Sequence, residues 1–408
     1  LNNALATRQV EIEANTVATR AVRLAIISTH PVQYYAPVFR SIAASGTVQP
    51  RVFYTWSQAE EGTIFDPGFG VELKWDIPLL DGYEYEFVPN VAQHPGTGRF
   101  TGLRNPTLVQ AIEQWRPDAI LVYGWNYFSH LQAMRHFKGR IPVYYRSDST
   151  LIDRQSPFRT WARRTALRQI FRYADTAIAV GTNNADYFEW CGIPRKRIAH
   201  APHSIDVHRF ADTTGSYEDE AHKRRAELGI GPGERAFLYA GKLIAKKDPL
   251  SLLQAFLDHC PTGHLIYVGN GELEAELKRR AAGQSRVHFL PFQNQASMPW
   301  VYRLGEIFVL PSVGPAETWG LAINEAMTCG RPAIASSRVG GARDLIVAGR
   351  NGWTFEAGNL ESLGHVLRTS MATDDYALRS MGRRGQEMAQ SWSSETTAER
   401  ICEVVRRR

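Results

Sequence analysis

Apolar positions along this chain come in short runs that recur at even spacing and end at glycine, proline or polar clusters. Val22-Arg-Leu-Ala-Ile-Ile-Ser28 is the first, a run apolar on both faces as a buried strand requires. Further strands are predicted at 51–55, 83–89, 118–123, 141–146, 176–180 and 197–201. Between most of them the apolar period lengthens to that of a helix, around 34–44, 105–115, 127–137, 157–173 and 182–190. Strands alternating with helices predict an α/β unit with a parallel sheet covered on both faces.

The alternation weakens over 206–232, where Asp212-Thr-Thr-Gly-Ser216 and Gly229-Ile-Gly-Pro-Gly233 read as turns around a charged helix. It restarts with strands at 235–240, 264–268, 286–290, 306–310, 332–335 and 352–355, and helices at 249–259, 272–281, 295–304, 319–329 and 360–370. The fold class expected is therefore α/β with two Rossmann-like, doubly wound domains. The division is an arm at 1–20, a first domain at 21–205, a linker at 206–232, a second domain at 233–375 and terminal helices at 376–408. Open parallel sheets bind ligands at the carboxyl ends of their strands, so two in tandem predict a cleft with the chemistry facing it.

Composition narrows the classes of function. The chain has 408 residues, 44% of them hydrophobic and 22% charged, which suits two globular cores. A net charge of +6 suits an anionic ligand or membrane surface and falls short of a nucleic-acid binder, for which there is also no interleaved basic and aromatic stripe. Cys191, Cys260, Cys329 and Cys402 stand far apart with no zinc-like spacing, so reduced thiols and no metal site are expected. No apolar run is long enough to span a bilayer, and charges at Arg8, Glu11, Glu13 and Arg20 break any signal-peptide pattern. The expectation is a cytoplasmic protein, with peripheral contact at the inner face of the membrane as an option.

Four stretches carry chemistry. Pro311-Ser-Val-Gly-Pro-Ala-Glu-Thr-Trp-Gly-Leu-Ala-Ile-Asn-Glu325 follows a strand and runs into a helix. Glu317 falls in the loop and Glu325 in the helix, with Thr318 as the expected N-cap. The amides of Gly320, Leu321 and Ala322 then form an anion site at the helix start. Tyr239-Ala-Gly-Lys-Leu-Ile-Ala-Lys-Lys-Asp-Pro249 places Gly241 at a sharp turn, and sets Lys242 and Lys247 to converge on a phosphate. Val268-Gly-Asn-Gly-Glu272 and Leu290-Pro-Phe-Gln293 end neighbouring strands and present Gly269, Asn270, Gly271, Phe292 and Gln293 to a nucleotide. Taken singly, each has a plain alternative: a helix-surface carboxylate, a solvated basic loop, an ordinary strand-end turn.

Jointly and in this order they resemble the family-4 glycosyltransferases of the GT-B fold. The resemblance covers about 233–370 well, and the first half more loosely through Ser28-Thr-His-Pro31, Tyr123-Gly-Trp-Asn126, Tyr145-Arg-Ser-Asp-Ser149 and Ala179-Val-Gly-Thr182. Glu317 and Glu325 match the family's Glu-x7-Glu pattern, and Lys242 and Lys247 its phosphate-binding pair, with Lys in place of Arg at the first. Val339-Gly-Gly-Ala-Arg-Asp344 and Asn351-Gly352 are further landmarks. The resemblance implies transfer of a sugar, with retention, from a nucleotide diphosphate-sugar to a hydroxyl acceptor, in polysaccharide, glycolipid or other glycoconjugate assembly. Uridine is the favoured base and guanosine the second choice. Glu317 would bind the donor sugar, Glu325 the ribose, and Thr318, Trp319, Gly320 and Leu321 would complete the donor site. There is no Asp-x-Asp motif, so no tightly held metal or other bound cofactor is expected.

The departures from the family pattern fall in the first half. Thr29-His-Pro-Val-Gln-Tyr34 stands where many relatives carry a glycine-rich loop. His30 becomes an acid–base candidate, and Gln33 and Tyr34 acceptor candidates. Tyr123 stands where relatives often have a histidine; Trp125, Asn126, Arg146 and Asp148 are the remaining acceptor candidates. The segment 158–172 reads as a basic amphipathic helix with Phe158, Trp161, Ala162, Thr165 and Ile170 on one stripe. Its plainer reading is a crossover helix whose stripe faces a core; its sharper one is contact with anionic lipid. Rival functions are a nucleotide-sugar epimerase on the same fold and a non-catalytic sugar-nucleotide-binding protein. Oligomeric state is not legible.

Overall fold

The computed structural model describes residues 20–57, 64–66, 68–153, 156–315 and 317–407; the expected arm at 1–20 lies outside the described residues but for Arg20. Two parallel sheets organise the chain. The first contains β1 (Val22–Ser28), β2 (Val48–Tyr54), β5 (Glu84–Phe87), β6 (Ala119–Tyr123), β7 (Val143–Ser147), β8 (Thr176–Ala179) and β9 (Ile198–His200), in the order β5-β2-β1-β6-β7-β8-β9. A hairpin of β3 (Ile64–Asp66) and β4 (Val71–Leu73), which the apolar pattern does not announce, forms a separate two-stranded sheet between β2 and β5 in the chain. The second sheet contains β10 (Ala236–Ala240), β11 (His264–Val268), β12 (Val287–Leu290), β13 (Ile307–Leu310), β14 (Ala333–Ser336) and β15 (Gly352–Phe355), in the order β12-β11-β10-β13-β14-β15.

The central strands are the most apolar because both faces are covered. In β1, Leu24 and Ile26 enter one core while Ala25 and Ile27 enter the other. β1 pairs in register with β2 from Val22 opposite Val48 and with β6 from Leu24 opposite Ala119. β10 repeats the arrangement: Phe237 and Tyr239 point to one core, Ala236 and Leu238 to the other. In both sheets the chain order reverses beside the first strand, so the strand ends there form a crevice.

Two expectations about organisation need correction. Residues 206–232, expected as a linker of turns around a charged helix, contain two helices that belong to the second domain's packing. Helices Val207–Phe210 and Ser216–Glu227 pack on the second domain, with Phe210 and Ala221 in its core. The Arg225 guanidinium is buried there, donating to the carbonyls of Leu304 and Glu234. Charged residues dominate this helix's sequence, and only the fold reveals that one of them anchors it.

Most of the stripe of helix Pro157–Ile170 does not face a core either, Ile170 being the member that packs partly on one. Phe158 and Trp161 are 75% and 65% exposed, and Leu167 is the helix's one buried side chain. The terminal helix Ser394–Arg406 does return to the first domain, where Ile401, Cys402 and Val405 join the core of Leu24 and Phe39. All four cysteines are free and buried. No helix of the described residues is long and apolar enough to cross a membrane.

Candidate active site

The second domain's strand ends are stitched into one surface. Gly241 N donates to Val268 O at 2.9 Å, Leu243 N to Asn270 O at 2.9 Å and Gly269 N to Leu290 O at 3.0 Å. Such close loops leave no room for side chains. A Cβ at Gly269, whose φ is +134°, would sit 2.1 Å from Gly241 O. Asn270 works inward: its Oδ1 accepts from Phe292 N at 2.6 Å and its Nδ2 donates to Glu274. It therefore fixes the 291–293 turn and spends its amide there.

The loop after β13 is held in the same way. Val313 N donates to Lys246 O at 2.9 Å, tying it to the lysine-bearing turn Ala245–Lys247. Lys247 Nζ pairs with Glu317, whose Oε2 also accepts from Ser312 Oγ at 2.9 Å. The helix that follows is Leu321–Thr328, with Gly320 at its N-cap at φ +90° and no side-chain cap. The expectation that Thr318 caps it is thus corrected. Thr318 Oγ1 instead donates to Asp148 Oδ2 of the first domain at 2.6 Å. Trp319 is also reassigned from donor contact to packing: it is 3% exposed, donates to Asn324 Oδ1 and packs on Trp392 and His203. The Val339-Gly-Gly landmark has a steric role, since a Cβ at Gly340 would lie 1.8 Å from Thr318 O.

Between the domains lies a cavity of about 530 Å³. Gly241, Lys242, Gly269, Phe292, Gln293 and Glu325 line it from the second domain, and His30, Gln33, Tyr34 and Trp56 from the first. Gln33 and Tyr34, expected at the acceptor, thus belong to this cavity. The main-chain turn at Val32–Tyr35 directs them there; residue order alone does not reveal it. Lys242 stands 5.0 Å from the Phe69 ring centroid. Lys247 and Glu317 do not line the cavity; they pair with each other in the adjoining loop.

Glu325 is the buried acid of this cavity. Tyr302 Oη donates to its Oε2 at 2.5 Å; the Tyr34 hydroxyl also acts on this carboxyl, and Oε1 is buried with no hydrogen bond of ordinary geometry among the described residues. Burial pushes its carboxyl above the usual range; Arg209 and the Tyr302 and Tyr34 hydroxyls pull the other way and do not cancel the effect. Tyr302 has no signature in the sequence, because its role depends on the turn at 302–304 meeting the helix of Glu325.

A second pocket, of about 430 Å³, opens at the ends of β1, β6 and β7. Tyr35, Trp125, Asn126, Tyr127, Asp148 and Arg163 are among its lining residues. Arg146 reaches it too, but its guanidinium is buried and donates to the Ala201 and Pro202 carbonyls at 2.8 and 2.7 Å. These two bonds brace the chain at the pocket's wall. Tyr35, Tyr127 and Arg163 escaped the sequence reading, since lone aromatic residues and helix arginines carry no signal of a pocket.

Thr29 lines this pocket and His30 the larger cavity, and the two side chains meet at 2.9 Å between Thr29 Oγ1 and His30 Nδ1. Burial lowers the His30 pKa, so its imidazole is neutral near pH 7. The site spans the domains at several further points. Asp344 accepts from the amide and hydroxyl of Thr182, Asn183 Nδ2 donates to Gly340 O, and Arg338 pairs with Asp153 at 2.8 Å. No group of three or more metal-ligating side chains is found among the described residues.

Fold and site define a two-domain α/β protein with nucleotide-type strand ends facing a cleft, and comparison with known proteins gives the class. Residues 220–388 match the model of glycosyl transferases group 1, and 77–203 that of the glycosyl transferase 4-like domain. The chain thus carries a glycosyl transferases group 1 domain and a glycosyl transferase 4-like domain, and it shares the GT-B fold of its structural neighbours. It is 28% identical to the sulfoquinovosyl transferase of Arabidopsis thaliana over 43% of this chain and 35% of that protein. It is 31% identical to the D-inositol 3-phosphate glycosyltransferase of Corynebacterium jeikeium over 59% of each. The chain thus matches from about a third to three-fifths of the length of these two curated relatives. Among solved structures, Anabaena Alr3699/HepE in complex with UDP superposes with a TM-score of 0.72 at 20% identity, covering 95% of this chain and 100% of that one. A glycosyltransferase of Rickettsia africae gives 0.70 at 14% identity, covering 95% and 98%.

Proposed function

We propose that this protein transfers a sugar from a nucleotide diphosphate-sugar, UDP favoured, to a hydroxyl acceptor in glycoconjugate assembly. The observation that carries the reading is the cavity between the domains, floored by strand-end loops and holding a buried, half-satisfied Glu325 beside Lys242. Glu325 Oε1, buried with no hydrogen bond of ordinary geometry, can accept from a ribose hydroxyl. The 291–293 turn presents main-chain groups to the base. Lys242, Lys247 and the amides of Gly320 and Leu321 take the diphosphate, the last two aided by the helix N-terminus. Lys247 exchanges part of its pairing with Glu317 for phosphate when the donor enters, which turns Glu317 toward the sugar. That several relatives or neighbours are named as glycosyltransferases or solved with UDP supports the same choice.

The acceptor sits in the pocket of Tyr35, Trp125, Asn126 and Asp148, whose aromatic walls and hydroxyl-binding groups suit a carbohydrate. Its hydroxyl meets the anomeric carbon near His30 and Asp148, where the two spaces adjoin. Negative charge developing on the leaving diphosphate is stabilised by fixed cations and amides. Retention follows if the hydroxyl attacks from the face that the diphosphate leaves, with a phosphate oxygen taking its proton. The exposed Phe158 and Trp161, on a helix rich in arginine, provide peripheral contact with an anionic membrane.

The test is calorimetric titration with UDP, GDP and their sugars, followed by product analysis with and without acceptor. UDP binding that weakens in Glu325→Ala and Lys242→Ala is expected. Donor converted in the absence of acceptor would identify an epimerase, and UDP-sugar bound but never consumed a sensor.

A further inference from the structure

Helix Pro157–Ile170 and the turn Phe171–Tyr173 carry Arg159, Arg163, Arg164, Arg168 and Arg172 and no acidic residue. Arginines elsewhere on the surface are commonly paired, as Arg195, Arg224 and Arg279 are with glutamates. None of these five makes an ion pair among the described residues, and Arg168 has no hydrogen-bond partner there either. Charge of one sign concentrated on one element sets up a field that attracts an anion.

The charge is not spread evenly. Arg168 and Arg172 line a cavity of about 360 Å³ between the end of this helix and the turn at 191–193, and Arg197 closes its far side. Arg197 is fixed there by donating to the carbonyls of Asp175 and Ala174. Arg172 Nη1 donates to Gln169 Oε1 at 3.0 Å, which orients its fork. Cys191 and Phe171 form a buried floor, and no acid lines the space. The cavity shares no lining residue with either pocket of the active site. The helix's own C-terminal dipole opposes an anion with about half a charge, against three full cations.

We propose that Arg168, Arg172 and Arg197 form a binding site for a phosphate-bearing ligand, separate from the donor and acceptor sites. Guanidinium groups hold phosphate oxygens through paired N–H bonds, which a solvated basic helix does not need and a cavity can organise. The phosphate comes either from a soluble ester or from the headgroup of an anionic lipid.

The experiment uses the full chain and two probes: glycerol 1-phosphate by calorimetry, and vesicles of phosphatidylcholine with and without phosphatidylglycerol by co-sedimentation. Arg168→Gln/Arg172→Gln is compared with Arg159→Gln/Arg164→Gln, which removes the same charge from the same helix outside the cavity. Saturable binding of glycerol phosphate, weakened at least about tenfold only by the first pair, supports the site and a soluble ligand. Binding only to phosphatidylglycerol vesicles, again lost chiefly in the first pair, supports the site and a lipid headgroup. Equal loss in both pairs assigns the effect to diffuse charge and overturns the proposal, as does no binding of either probe. Thr165→Glu, which puts a carboxylate at the cavity's mouth and keeps every arginine, must reproduce the loss should the first pair fold poorly.

Discussion

At the scale of single residues, the site places groups where folding alone would not. A carboxylate buried like Glu325 costs stability, and its raised pKa is the mark of that cost. Because the folded pKa lies above the unfolded one, the penalty is absent at low pH, where both states are protonated. It grows as pH rises through the unfolded pKa and is complete above the folded one. Glu325→Gln is therefore expected to raise the melting temperature by roughly 2 °C at neutral pH. The gain should vanish in acid, and UDP affinity should fall by about tenfold or more as a hydrogen bond to charge is lost. Melting curves from pH 4 to 8 with calorimetry check both, the two pH limits being roughly the carboxyl's ordinary range and well above it. Glu317→Ala is expected to cut turnover by about a hundredfold or more while UDP affinity changes less, because its partner Lys247 remains for phosphate. Steady-state kinetics against donor concentration separates the two effects.

At the scale of elements, glycines let three loops share a surface. The spacing Gly269-Asn-Gly271 is legible in the sequence, but it is common in turns and says nothing of what it approaches. The structure supplies the reason: a Cβ at Gly269 would be 2.1 Å from a backbone oxygen that cannot yield. Gly269→Ala is expected to destabilise the fold by about 2 kcal/mol or more and to weaken nucleotide binding with it. Denaturant melts check the first part and UDP titration the second. The start of the helix at Leu321 is not legible in the sequence for a related reason. Threonine before an apolar run reads as a cap, and only the partner domain shows that Thr318 is engaged by Asp148.

At the scale of the molecule, the domains meet through polar groups that flank the cleft. Asp344 bridges to the start of helix Thr182–Trp190, and Asp148 bridges to the loop of Glu317. Both contacts are polar and only partly buried, and under the proposed function the interface they form opens to admit the donor. Asp344→Asn and Thr182→Val are each expected to raise KM for the donor severalfold with little change in stability. The double variant should be little worse than Asp344→Asn alone, since Thr182→Val removes only the hydroxyl bond to that same carboxylate. Kinetics on the three variants tests the coupling.

What the sequence determined by itself was the alternation. Two sets of buried strands, the turns after them and the order of Lys242, Lys247, Glu317 and Glu325 are local features, written in apolar period and residue type. What only the tertiary structure decided was which side chains share a space. Gln33 and Tyr34 went to the cavity of Glu325, Arg146 was tied to main-chain carbonyls at the wall of the other pocket, and Phe158 and Trp161 stayed in solvent. The physical reason is that a side chain's neighbours are set by loops and domains packed from distant parts of the chain. Propensity and period act over a few residues and do not reach that far.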